Sequence, residues 1–203
     1  MRMKTLMLWA AVAALAVGYA AGVRIDVLGS KNVRFREVTV QPPLSWRYFP
    51  QYRGTDRETS AVMLSSPPLD SEWRRFEFSF MPERDSRVTL SFHVQGIRRQ
   101  VEPAVIDEIQ VTGAVLKNGG FEVVKDGGPA HWHLGKHAKL LNGRHAAKGM
   151  NCMRITYRYG MASQQIRVPA GQLVTVSFLA KLADTDSAAE NIVQEPQSPG
   201  GEK

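Results

Sequence analysis

RFEFSFMP, residues Arg75 to Pro82, alternates apolar and polar side chains without a break. Phe76, Phe78 and Phe80 fall on one face, and Glu77 and Ser79 on the other. A period of two is the signature of a strand with one buried face. VTLSFHV (Val88–Val94) and VTVSFLAK (Val174–Lys181) repeat the pattern. Weaker versions occur at Val23–Gly29, Val33–Val40, Ser60–Ser65, Ala104–Gly113, Cys152–Tyr159 and Ser163–Pro169. Pro42-Pro43, Pro67-Pro68, Gly127-Gly128 and Pro169-Ala170-Gly171 punctuate the joins. No segment of the body carries a helical period, so each apolar face must be covered by a second sheet. Eight or nine such strands predict an all-β fold, a jelly-roll β-sandwich.

The rest of the chain fits that reading. Its 203 residues are 43% hydrophobic and 22% charged, which suits one domain or two small ones. The composition excludes a coiled coil, a collagen-like chain and a wholly disordered chain. A formal charge of +7 does not by itself define a nucleic-acid binder, and no nucleic-acid partner is expected. The one cysteine, Cys152, excludes an intrachain disulfide framework.

The two ends read differently from the body. Arg2 and Lys4 precede an almost wholly apolar run from Thr5 to Ala20, with small residues at Gly18 and Ala20. Residues 1–22 therefore read as a signal peptide, and the mature protein as exported: periplasmic, cell-surface or extracellular. An uncleaved anchor is the competing reading, although the run falls short of the roughly 20 residues of a spanning helix. Residues 184–203 carry five acids and no apolar period, and read as a disordered acidic tail. The basic excess then falls on the body. It could attract acidic polysaccharides or anionic cell-surface polymers, or consist of solvated Arg on exposed strand faces.

Catalytic motifs are missing: the chain has no GxSxG, HExxH, P-loop or GxGxxG. Cys152 lies in a strand pattern and reads as a small core residue. Asp107 and Glu108 are adjacent carboxylates on a strand and read as structural. The protein is expected not to be an enzyme. Sugar binding needs flat apolar faces flanked by planar polar groups. Ser45–Arg53 (SWRYFPQYR) offers Trp46, Tyr48 and Tyr52 together with Arg47 and Gln51. This stretch reads as a loop, either a stacking platform or a plug for one end of the core. Trp132, between His131 and His133, is a second candidate, for the surface or for the core. On a strand the two imidazoles would share a face, to hydrogen-bond sugar or to hold a metal.

Several of these segments resemble a known family. LKNGGFE (Leu116–Glu122), Trp132, the Gly149–Ile155 strand and QQIRVPAGQLVTVSFLAK (Gln164–Lys181) look like the opening half of a carbohydrate-binding module of the family four and nine type, a galactose-binding-like jelly roll. Cys152 and Val174 stand where that family usually has Ser and often has Tyr. SEWRRFEFSFMP (Ser71–Pro82), VTLSFHV and VIDEIQVTGA (Val105–Ala114) resemble its closing half, which here comes first. Neither half has the length of a complete module, whereas the two together do. The favoured organisation is one circularly permuted domain over 23–183, with the closing half at 23–115 and the opening half at 116–183. Two small tandem modules split near 115 are the alternative.

The resemblance implies a non-catalytic glycan-binding protein. A polysaccharide would be its ligand, and a separately encoded glycoside hydrolase or a cell-surface protein a further partner. It also implies a structural Ca²⁺ held by Glu122 and Asp107 where the first and last strands of the family meet. A structural or adhesion jelly roll without sugar specificity is the other class of function compatible with the fold.

Overall fold

The structure is a computed structural model that describes residues 22–29, 33–54, 57–95, 102–156 and 160–184. Within these, the side chains of residues 46–54, 57–60 and 95 are not part of the description. All of the expected signal peptide except Gly22, which begins the first strand, and all of the acidic tail except Asp184 lie outside the described residues. Among the described residues, no helix is long and apolar enough to cross a membrane.

The described residues form an all-β sandwich of two six-stranded sheets. Its strands are β1 (Gly22–Gly29), β2 (Phe35–Val40), β3 (Ser45–Gly54), β4 (Arg57–Ser65), β5 (Arg74–Pro82), β6 (Ser86–Gln95), β7 (Ala104–Thr112), β8 (Val124–Lys125), β9 (Gly128–Pro129), β10 (His133–Leu134), β11 (Ala138–Asn142), β12 (Asn151–Ile155), β13 (Met161–Val168) and β14 (Val174–Leu182). The first sheet runs β10-β13-β6-β1-β4-β3 and the second β11-β12-β7-β14-β5-β2. The strands β8 and β9 form a separate hairpin.

The phenylalanine alternation places the core. The register of β5 against β14 sets Phe76, Phe78 and Phe80 opposite Phe178, Val176 and Val174, and all six are buried. Phe92 of the first sheet meets Phe178 of the second edge to face, with ring centroids 5.3 Å apart. Such pairs contribute about 0.5–1.5 kcal/mol beyond the area they bury.

Strands from both sides of residue 115 interleave in both sheets. β13 pairs with β6, β12 with β7, and β14 with both β5 and β7. The two segments share one core, so a split near residue 115 does not separate two packed units.

Nine of the observed strands lie on the nine alternating segments of the sequence. One expectation is corrected. Ser45–Gly54 is not a loop but β3, the edge strand of the first sheet. Its register against β4 slips between Phe49 and Tyr52, around Pro50. Proline is tolerated at such an edge irregularity because its missing N–H breaks no interior ladder. The slip interrupts the period of two, which hides the strand from a pattern reading.

Candidate ligand-binding face

The motif residues that carry the family resemblance tie the strands together. Asn118 adopts a left-handed backbone at φ 55°, a conformation asparagine tolerates well. Its Nδ2 donates to the carbonyls of Val123 (2.8 Å) and Ala130 (3.0 Å), and its Oδ1 accepts from Val123 N–H at 2.9 Å. Phe121 is fully buried, also at positive φ. Gln164 clamps the backbone of Lys117, accepting from its N–H and donating to its carbonyl, both at 2.8 Å. Gly119 lies so close to the Ile109 carbonyl that an added Cβ would strike it.

Trp132 belongs to this hub and not to a binding surface. It is 9% exposed. Its ring packs 5.2 Å from that of Phe121 and 6.2 Å from that of Phe92. Its indole N–H donates to the Asn118 carbonyl at 2.9 Å. A stacking face enclosed in this way is not open to a sugar.

The flanking histidines part company. His131 sits in a turn at φ 71°, so the strand argument for a shared face does not hold. His133 is exposed on β10, opposite Ser163 of β13.

Asp107 and Glu122 hold backbone N–H groups. Asp107 is fully buried. Its Oδ1 accepts from Glu108 N–H at 2.7 Å, and its Oδ2 from Ala147 and Lys148 N–H at 2.8 and 3.2 Å. Burial raises its pKa above the ordinary aspartate value and outweighs the three N–H donors, which lower it. Glu122 Oε1 accepts from Met150 and Asn151 N–H, both at 3.0 Å. Between these contacts lies Gly149 at φ 70°, where a Cβ would collide with the Glu122 carboxylate.

Both carboxylates therefore fasten the 146–151 loop over the second sheet. Three of the four oxygens where the resemblance suggests a shared Ca²⁺ are engaged by backbone N–H donors. Among the described residues, no group of three His, Cys, Asp or Glu side chains could hold a metal ion.

The polar cluster most suited to a ligand lies on the other sheet, at residues the sequence reading passed over. In β1, Val23, Ile25 and Val27 enter the core. Alternation turns Arg24 and Asp26 to the opposite face. The same holds in β6, where Leu90 and Phe92 are core and Ser91 and His93 face away.

Asp26 and His93 are nonetheless only 7% and 9% exposed. Asp26 Oδ2 stands 3.3 Å from His93 Nε2 and accepts from Arg24 Nη2 at 3.1 Å. Asp26 Oδ1 lies 3.1 Å from Arg24 Nε, near enough to attract but without the alignment of a hydrogen bond. The Arg24 side chain, 35% exposed, is the reachable member of the group.

Register extends this cluster across the whole sheet. One row reads His133, Ser163, Ser91, Asp26, Met63 and Arg47, from β10 to β3. At 4.7–4.9 Å between strands, six strands span about 24 Å. Two sequence-chosen positions, His133 and Arg47, thus end a row with Asp26 near its middle. The next row out joins His93 to Arg24 and to Met161. Trp46 and Tyr48 occupy different rows, opposite the core residues Leu64 and Val62. Tyr52 lies opposite Thr59, beyond the irregularity. Gln51 lies within it.

The signal for the missed residues was present in the sequence. RID and SFH each put two polar, hydrogen-bonding residues at i and i+2 on the non-core face of a strong strand. Nothing in either strand alone says that the two meet.

Compared with known proteins, the chain matches no family model, no curated protein and no solved structure.

Proposed function

We propose that this chain is an exported, non-catalytic glycan-binding jelly roll, a permuted relative of the carbohydrate-binding modules it resembles. It binds sugar over the outer face of the first sheet. The observation that carries the reading is the Arg24–Asp26–His93 group on the face opposite the core, with Asp26 in a mostly polar row across the six strands and Arg24 and His93 in the next row. Planar guanidinium and imidazole groups are suited to the paired hydroxyls of a sugar ring, and a carboxylate between them fixes their orientation. A separately encoded hydrolase or a cell-surface protein is the partner such a module would serve.

The test is titration of the full-length chain with a panel of soluble polysaccharides, followed by tryptophan fluorescence. One glycan is expected to give a saturable shift. Arg24→Gln is expected to weaken it by about tenfold or more, the worth of a hydrogen bond from a charged group, with little change in melting temperature. Absence of a response to every glycan, or equal affinity in the variant, would overturn the proposal.

One observation favours a second reading, a structural or adhesion sandwich. Trp46 and Tyr48 occupy register positions opposite the core residues Leu64 and Val62. A large loss of stability in Trp46→Ala, with glycan affinity kept, removes those aromatics from the binding face and leaves the Arg24 row in place.

A further inference from the structure

The same face carries a second feature, displaced along the strands. Arg87 of β6 and Arg167 of β13 stand directly opposite each other. Residues so paired have Cβ atoms about 4.5–5.5 Å apart, and like charges there repel. Both side chains are exposed, and neither has an ion-pair partner among the described residues.

They line a cavity of about 540 Å³ with Asp85, Ser86, Val168 and Pro169. Asp85 is the single acid of that wall, and its Oδ1 is engaged by Ala170 N–H at 2.7 Å. Ser86 Oγ is buried without a hydrogen-bond partner among the described residues. Two guanidinium groups side by side, against one carboxylate in the wall that pairs with neither, form a site for an oxyanion, which can accept from both forks and relieve their repulsion.

Position links this cavity to the polar row. Arg87 lies four residues before Ser91 on β6, a distance of about 14 Å, and six before His93, about 20 Å. Between them Thr89 pairs with Gln165, and Ser91 with Ser163. An extended chain laid along β6 and β13 would meet hydroxyl and amide groups first and the arginine pair at its end.

We propose that the glycan bound by this protein is acidic, and that Arg87 and Arg167 receive a carboxylate or sulfate on one of its sugar residues. This inference rests on the glycan-binding reading above and narrows its ligand class.

The experiment uses the full-length chain and its Arg87→Gln/Arg167→Gln double variant. Four probes are compared at low and high salt: polygalacturonate, a sulfated polysaccharide, a neutral β-glucan and polyglutamate. The expected result is tighter binding of one acidic polysaccharide than of the neutral glucan, weakened by about tenfold or more in the double variant. Preference for polygalacturonate identifies the anion as carboxylate, and preference for the sulfated chain identifies it as sulfate.

Binding of the neutral glucan alone, unchanged in the double variant, would overturn this inference and leave the glycan-binding reading standing. Polyglutamate binding as tightly as the polysaccharides would also overturn it, because charge without sugar would then suffice. Failure of every polysaccharide would overturn both.

Discussion

Asp26 and Asp107 are both buried carboxylates on strands, one in each sheet of the same sandwich, yet their surroundings differ in kind. Asp107 is met by three backbone N–H groups, two of them from the loop that crosses over it. Asp26 is met by side chains, Arg24 and His93, from its own strand and the next. Backbone donors are fixed by the fold, so a carboxylate that binds them fastens a loop. Side-chain donors keep further N–H groups to offer elsewhere. On the second sheet the polar groups near the surface are consumed in closure: Glu122 takes two N–H groups from the same loop, and Lys181 pairs with Asp184. On the first sheet they face one another across an outer face. Burial alone thus does not distinguish the two carboxylates; the nature of their partners does.

The largest expected effect is chemical and lies under the closed loop. Cys152 is fully buried beside Asp107 and Glu122. Burial first, and then the negative charge of Asp107, push its thiol up to about 12 from 9.0. At pH 8 the thiolate population should therefore be roughly a thousandfold below that of an ordinary thiol. A chromogenic disulfide reagent is expected to leave the native protein unlabelled and to modify it once it is unfolded in guanidinium. Rapid native labelling would mean that the second sheet is not sealed, and the contrast between the sheets would fail.

Next in size is the clamp. Asp107→Ala strands the N–H groups of Ala147 and Lys148, and a buried donor left unmet costs about 1–3 kcal/mol. Urea unfolding should show the loss at neutral pH. Its pH dependence has a definite sign. The folded-state pKa of Asp107 is raised above 3.8, so the folded protein binds this proton more tightly than the unfolded chain. The part of its stabilisation due to protonation is fully present below the unfolded value and is lost as pH rises through the folded one. The difference in stability between wild type and Asp107→Ala should accordingly shrink as the pH is raised from about 3.8 through the folded value. A difference that instead grows over that window would show that the N–H donors outweigh burial.

Much of the sandwich was legible in the sequence, and the limits of that reading have physical causes. Phe76, Phe78 and Phe80 announce a half-buried strand because alternation is local, and they pack as expected. β3 was not legible as a strand because the slip around Pro50 breaks the period on which recognition depends. Trp132 could be read for the surface or for the core, and only the packing of Phe92 and Phe121 against it decides. Asp107 and Glu122 were visible as conspicuous acids, but the loop N–H groups they hold lie 28 to 41 residues away in sequence. The Arg24–Asp26–His93 group was hidden for the same reason. Arg24 and Asp26 are neighbours on one strand, whereas His93 arrives only through the pairing of β1 with β6. Pattern within a strand is a property of sequence, and meeting across strands is a property of register.

The smallest expected effect on stability is also the one that separates the two carboxylates most sharply. Asp26→Asn keeps the shape of the side chain and removes its charge. Arg24 is a third exposed and regains water when the ion pair weakens. The loss should resemble that of a partly exposed pair, about 1 kcal/mol or less. Binding should respond differently. Without the carboxylate, nothing fixes the guanidinium and imidazole in one orientation, and the affinity gained from their preorganisation is lost. Stability near wild type with weakened glycan binding would place Asp26 among the residues that position a ligand-binding group. Stability lost as severely as in Asp107→Ala would place it with the clamp, and the outer face of the first sheet would be one more closed surface.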